Sequence, residues 1–254
     1  STDADVVLPA GDFSAARAAE VSLYPHRHTS ADTDIERRGL AYELHMRWYV
    51  EGLRRAGSPY AFHALGSTIA MTAAAYARVR GFPRRNAGED FHLLAKLAKV
   101  ATMETLAAPE LTVAARFSDR VPFGTGPALI RMAEVPHSYA PQVFTCLREA
   151  LGMVDSGHTG PSTLAAEILE SLGYFRASSG LDRRQRHQWF DGLKTLRFIH
   201  AAQRRFPDVP LLAALRDAFR AERSFPDGDI ETVTEFMRRR DIRKRAPIGV
   251  LAMQ

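Results

Sequence analysis

A single cysteine in 254 residues, Cys146, leaves no partner for an internal disulfide and suits a reducing compartment. Long apolar runs are missing too. The richest stretch, residues 69–79, is broken by Thr72, Tyr76 and Arg78, and nothing approaches the ~18–20 apolar residues that cross a bilayer. Asp3 and Asp5 stand where a secretory leader needs positive charge and then an apolar core, so no leader is expected and a cytoplasmic location is. A Walker loop is absent because its lysine and spacing are absent, and there is no dinucleotide-binding glycine fingerprint. No internal repeat and no low-complexity segment appear beyond one basic tract.

What is present is the composition of a globular protein with room for a sizeable core, 46% hydrophobic and 25% charged. The net charge is +5, and the excess is concentrated: Arg238, Arg239, Arg240, Arg243, Lys244 and Arg245 crowd against the single Asp241. This tract reads as a solvated helix face. The other reading of the same residues is a basic surface that makes peripheral contact with acidic lipid. Nucleic acid is not expected as a partner, since interleaved aromatics and any recognisable module are lacking.

The first half of the chain mixes strand and helix signals. Asp12 is placed to cap a short helix reaching Glu20, and a loop holding Pro25, His26 and His28 follows. Thr33-Asp34-Ile35-Glu36 has capping-box spacing and opens a helix to about Ala56, which Gly57 ends and Pro59 blocks. Residues 67–71 read as a strand, Thr72 caps a short helix stopping at Gly81, and a second helix starts near Gly88 with Phe91, Leu94, Ala95 and Ala98 as its buried stripe. Residues 103–106 and 111–117 are strand candidates, followed by a Gly/Pro-rich loop over 120–127. Beyond about Pro136 the strand signals stop, and helices are expected over 142–151, 162–172, 181–205, 210–223 and 230–245. The expected architecture is an α/β part, 1–135, followed by a mainly helical part, 136–254.

Three groups of residues could carry chemistry. Asp3-Ala4-Asp5 places two carboxylates one residue apart, oxygen donors suited to a hard divalent cation, although any acidic turn in water supplies the same pair. Gly88-Glu89-Asp90 opens a helix, where the free amides and the helix dipole favour ionised carboxylates, so both side chains are expected to be charged at neutral pH. A carboxylate facing a cleft can act as a general base, and simple helix capping is the plainer reading. Ser118-Asp119-Arg120 leads into Gly124-Thr125-Gly126: arginine offers fixed donors to phosphate and glycines admit close backbone approach, while a structural turn needs the same composition. His63, His92 and His137 are not selected by any spacing.

In this order the three groups resemble family 2 glycosyltransferases of the GT-A fold, from Ser1 to about Leu129. The resemblance rests on Thr2-Asp3-Ala4-Asp5, on Leu65-Gly66-Ser67-Thr68-Ile69-Ala70 followed by Tyr76 to Phe82, and on Ala87-Gly88-Glu89-Asp90-Phe91-His92-Leu93-Leu94. Arg80 stands where the family usually has a glycine. The stretch from Arg120 to Gly126 looks like the signature of one bacterial subgroup. The resemblance implies a nucleotide-diphosphate sugar as donor, an acceptor of unspecified class, and Mg²⁺ or Mn²⁺ at Asp3 and Asp5. It further implies Asp90 as base in an inverting displacement, supported by Glu89, with Arg120 adding a donor phosphate contact. It places the nucleotide-binding half before Ser1, so the chain by itself is expected to be inactive. The alternative expectation is a non-catalytic interaction protein derived from this fold, with a basic helical tail.

Overall fold

The structure, a computed structural model, describes residues 6–8, 19–85, 87–119, 124–132, 134–158, 162–243 and 248–249. The first half contains β1 (Val6–Val7), β2 (Val21–Leu23), β3 (His26–Thr29), α1 (Thr33–Ala56), β4 (Ile69–Met71), α2 (Ala73–Arg78), α3 (Glu89–Leu97), β5 (Thr102–Thr105), β6 (Leu111–Ala114) and α4 (Thr125–Arg131). The second contains β7 (His137–Ser138), α5 (Pro141–Ser156), α6 (Leu164–Ser171), α7 (Tyr174–Ser178), α8 (Arg183–Trp189), α9 (Gly192–Gln203), β8 (Val209–Pro210), α10 (Leu211–Ala218), α11 (Ile230–Arg243) and β9 (Ile248–Gly249). The class is α/β with small mixed sheets.

β2 and β3 follow one another across Pro25, and each pairs in parallel with one of two strands that are also consecutive, β5 and β6. The Leu106 amide donates to the Leu23 carbonyl and the Leu111 amide to the Pro25 carbonyl, so the pairing continues around the corner. β4 pairs antiparallel with β2. Val21, Leu23, Ile69 and Met103 of this sheet pack under Leu93, Leu94 and Leu97 of α3, forming one buried cluster.

The second core belongs to the helices, and α1 takes part in it. Leu44, Trp48 and Leu53 pack with Val143, Phe144 and Leu147 of α5, Phe198 and Ile199 of α9, and Val233 and Met237 of α11. α1 begins one residue earlier than the spacing implies: Asp32 is the cap, its carboxylate accepting from the Asp34 and Ile35 amides. Glu36 instead reaches back to the Ser30 amide. Thr72 caps α2 by accepting from the Ala75 amide, as its position predicts.

Four expectations are corrected. The loop around His26 and His28 is a strand, because β6 supplies its hydrogen bonds; its buried positions are histidines, which carry no hydrophobic alternation. The helix expected over 181–205 is two helices, broken where Asp191 caps α9 by accepting from the Lys194 amide. Strand pairing does occur after Pro136, in the short β7–β8 ladder.

The fourth correction is the basic tract. Arg238 and Arg240 are only 10% and 16% exposed, and they bind α11 to α1 rather than facing solvent. Arg238 grips Glu43 with two nitrogens at 2.7 and 2.9 Å. Arg240 reaches Glu51 at 3.1 Å and Glu222 at 2.6 Å. Asp241 accepts from Arg47 at 2.6 Å and Arg54 at 3.2 Å, and His63 Nε2 lies 3.0 Å away. The Arg55 and Arg240 guanidiniums lie over the Phe219 ring, 4.3 and 4.7 Å from its centroid. Arg239, 70% exposed, is the member of 238–240 that matches the solvated reading.

Arg80, in the place of an expected glycine, has φ 61. A side chain in that left-handed region costs about 1–2 kcal/mol relative to glycine's free access. Arg80 is exposed, so nothing is lost with its side chain. Arg80→Gly is therefore expected to raise stability by about 1 kcal/mol in a urea titration, and a loss of stability would contradict the strain.

Candidate functional site

Asp90 sits in the first turn of α3, after Gly88, whose φ of 70 turns the chain into the helix without a side-chain cap. The carboxylate does that work from inside the helix, its Oδ1 accepting from the Phe91 amide at 2.6 Å. Gly66, just before β4, lies against it: a methyl there would come 3.3 Å from the Asp90 Cβ and 3.4 Å from Oδ2. Glycine lets that backbone approach. The small-residue strand and the Glu-Asp helix start, separate in sequence, thus meet at one carboxylate.

Burial raises the Asp90 pKa above the ordinary aspartate value, and the neighbouring Glu89 charge adds to this. The Phe91 and Gly66 amides oppose the rise without cancelling it. Loss of water thus outweighs the amides in setting the direction of the shift. A raised carboxylate is a stronger base, and one that accepts from the Phe91 amide still has free lone pairs out of about four.

The Gly124-Thr125-Gly126 turn comes to the same neighbourhood. A Cβ on Gly126 would fall 2.6 Å from Ser118 Cβ and 2.8 Å from its carbonyl oxygen, so α4 can begin against Ser118 only with glycine there. Tyr42 of α1 lies near this turn, and its hydroxyl pKa is raised by burial first and by the Asp90 charge as well. Nothing in its sequence context marks it, since it is one aromatic on a long amphipathic helix.

Beyond Tyr42 the aromatic wall continues. The rings of Tyr42 and His45 stack with centroids 6.5 Å apart, and those of His45 and Tyr139 at 5.7 Å. His45 Nδ1 and the Ser138 hydroxyl are 2.8 Å apart, and burial lowers the imidazole pKa, favouring the neutral ring. Behind this wall a cavity of about 190 Å³ opens, and Phe91, the residue after Asp90, lines it.

Asp3, Asp5 and Arg120 lie outside the described residues. Among the described residues no group of three or more histidine, cysteine, aspartate or glutamate side chains could hold a metal ion. Of the three histidines left open, His63 is committed to Asp241. His92 lies near Arg85 and Lys96; burial and then the Arg85 charge lower its pKa. His137, exposed at the start of β7, has its Nδ1 3.0 Å from the Val135 carbonyl. No described helix is long and apolar enough to cross a membrane. Comparisons with family models, with curated proteins and with solved structures gave no match.

Proposed function

We propose that this chain is part of a nucleotide-sugar glycosyltransferase resembling family 2, in which Asp90 is the general base. The observation that carries the reading is the Asp90 carboxylate: half-buried, made more basic by its surroundings, oriented by the Phe91 amide, and packed against Gly66. In the inverting displacement, the acceptor hydroxyl oxygen forms a bond to the sugar's anomeric carbon as the bond to the diphosphate breaks on the opposite face. The hydroxyl proton passes to a free lone pair of Asp90. Glu89 keeps Asp90 basic through its charge, and Gly66 and Phe91 hold the carboxylate in one orientation.

The carboxylate pair Asp3 and Asp5 has the hard oxygen donors that Mg²⁺ or Mn²⁺ takes, and these residues would hold it. When bound, the cation neutralises charge on the leaving diphosphate. Arg120 is assigned to the same diphosphate, as a fixed donor.

The reading is tested by calorimetry of nucleotide-sugar binding to the full-length protein, with Mg²⁺ or Mn²⁺ and then with EDTA. Binding is expected to need the cation and to be lost when Asp3→Ala and Asp5→Ala are combined. Donor binding indifferent to both chelator and substitution removes Asp3 and Asp5 from the site.

A further inference from the structure

The side of α3 turned away from Asp90 borders a second cavity, of about 250 Å³. His92 and Lys96 of α3 and Lys99 just beyond its end recur at four- and three-residue spacing, so they share one helix face. Asp90 packs against Gly66 on the other side. Arg85, from the loop before α3, and Asp191, the cap of α9, complete the charged lining.

Three cations thus face a single carboxylate. Asp191 is already engaged: one oxygen accepts from the Lys194 amide at 3.1 Å, and the other lies 3.5 Å from Lys99 Nζ. Lys99 also donates to the Gln188 carbonyl at 3.1 Å. Among the described residues no carboxylate pairs with Arg85 or with Lys96, whose ammonium lies 3.4 Å from the Val79 carbonyl. Burial and then the Arg85 charge lower the His92 pKa, with Lys96 acting the same way and Asp191 opposing. The ring is thereby held neutral, with one N–H to donate. Like charges converging on a recess repel one another, and an anion bound between them removes that repulsion.

We infer that this cavity is a second ligand site and takes a soluble phosphate monoester, its oxygens accepting from Arg85, Lys96 and His92. A phosphate monoester carries about −1.5 to −2 charge at pH 7, which matches the two cations left without a carboxylate. A diester, the form in nucleic acid and in most membrane lipids, carries a single charge and leaves one of them over. The guanidinium fork of Arg85 suits two phosphate oxygens at once. At roughly 30 Å³ per water the recess has the room of about eight waters, enough for the phosphate group and the first atoms attached to it. The site uses neither Asp90 nor the proposed sugar transfer.

The test is NMR of the histidine-labelled full-length protein, titrated with methyl phosphate near neutral pH while sodium chloride holds the ionic strength constant. The His92 signal is identified by its loss in His92→Gln. Saturable movement of that signal is expected, and the His92 pKa should rise at saturation, because the bound anion offsets Arg85 and Lys96. Arg85→Gln and Lys96→Gln should each weaken binding about 3- to 5-fold, the upper range for exposed ion pairs. Both side chains are exposed, so neither substitution should unfold the chain. Arg239→Gln removes the same charge from α11 and should leave the affinity unchanged, as should Asp90→Asn. Folded protein with no saturable response to methyl phosphate overturns the inference. So does a response that sodium chloride alone reproduces, or one that ignores both substitutions. Sedimentation with phosphatidic acid vesicles that needs Arg85 and Lys96, in protein that does not respond to methyl phosphate, overturns it in favour of a lipid.

Discussion

Asp90→Asn in the full-length protein is expected to lower sugar transfer by about 10²- to 10⁴-fold, the contribution of a positioned general base. The amide keeps the shape of the carboxylate and one oxygen for the Phe91 amide, so the start of α3 should persist and the melting temperature should barely move. Donor affinity should be unchanged, because the base acts on the acceptor. The pH profile carries the more specific signature. Asp90 must be ionised to act, so kcat/KM should fall as pH drops through its pKa. Burial and Glu89 move that limb upward from the ordinary aspartate range. In Asp90→Asn the limb should disappear along with the rate. A variant with near-normal turnover, or one that keeps the acid limb, takes Asp90 out of the mechanism.

Glu43→Ala is expected to cost about 3–5 kcal/mol of folding stability in a urea titration, enough to threaten the fold. Its side chain is fully buried and accepts from Arg47 at 2.9 Å, from two nitrogens of Arg238, and from the His28 amide at 3.0 Å. Alanine leaves those guanidinium donors buried without their shared carboxylate. Arg239→Ala on the same helix, 70% exposed, should stay within about 0.5 kcal/mol. A small effect at Glu43, comparable to that at Arg239, would show that α11 is not anchored through this carboxylate.

The same network sets the acid limit of the fold. Burial pushes the Glu43 and Asp241 carboxyls up, but His28, Arg238 and Arg47 at one and His63, Arg47 and Arg54 at the other outweigh it, and both end well below the ordinary range. A depressed carboxylate stabilises the fold above its unfolded pKa, about 4, and that stability drains away as pH falls toward the folded value. His26 adds an earlier step: burial, then the Arg47 charge, lowers its pKa well below 6.5, so acid below that value favours the unfolded chain, which takes the proton. Stability should therefore decline from about pH 6 downward, more steeply below 4.

Local signals in the sequence located elements well where a single residue decides the geometry. Thr72 and Gly88 start helices because their chemistry is local, and the helical character of the second half follows from its apolar spacing. What could not be read locally depends on distant partners. Glu43 and Arg238 are 195 positions apart, and charges spaced along an amphipathic helix look the same whether water or another helix faces them. β3 escaped notice because histidines occupy its buried positions. The cavity draws on residues 45, 60, 91, 139 and 195, so no window of sequence contains it. Asp90 was legible through its motif, whereas its raised pKa follows from burial and could not be.

The central claim is that a nucleotide sugar is consumed here with Asp90 taking the acceptor's proton. The direct measurement is chromatographic separation of free nucleoside diphosphate and glycosylated product after incubating the full-length protein with a panel of nucleotide sugars, a divalent cation and a panel of hydroxyl-bearing acceptors. One donor is expected to yield diphosphate and product in equal amounts, with inverted anomeric configuration, and Asp90→Asn is expected to yield neither above background. Folded protein that consumes no donor in the panel, or an Asp90→Asn variant that matches the parent, contradicts the account.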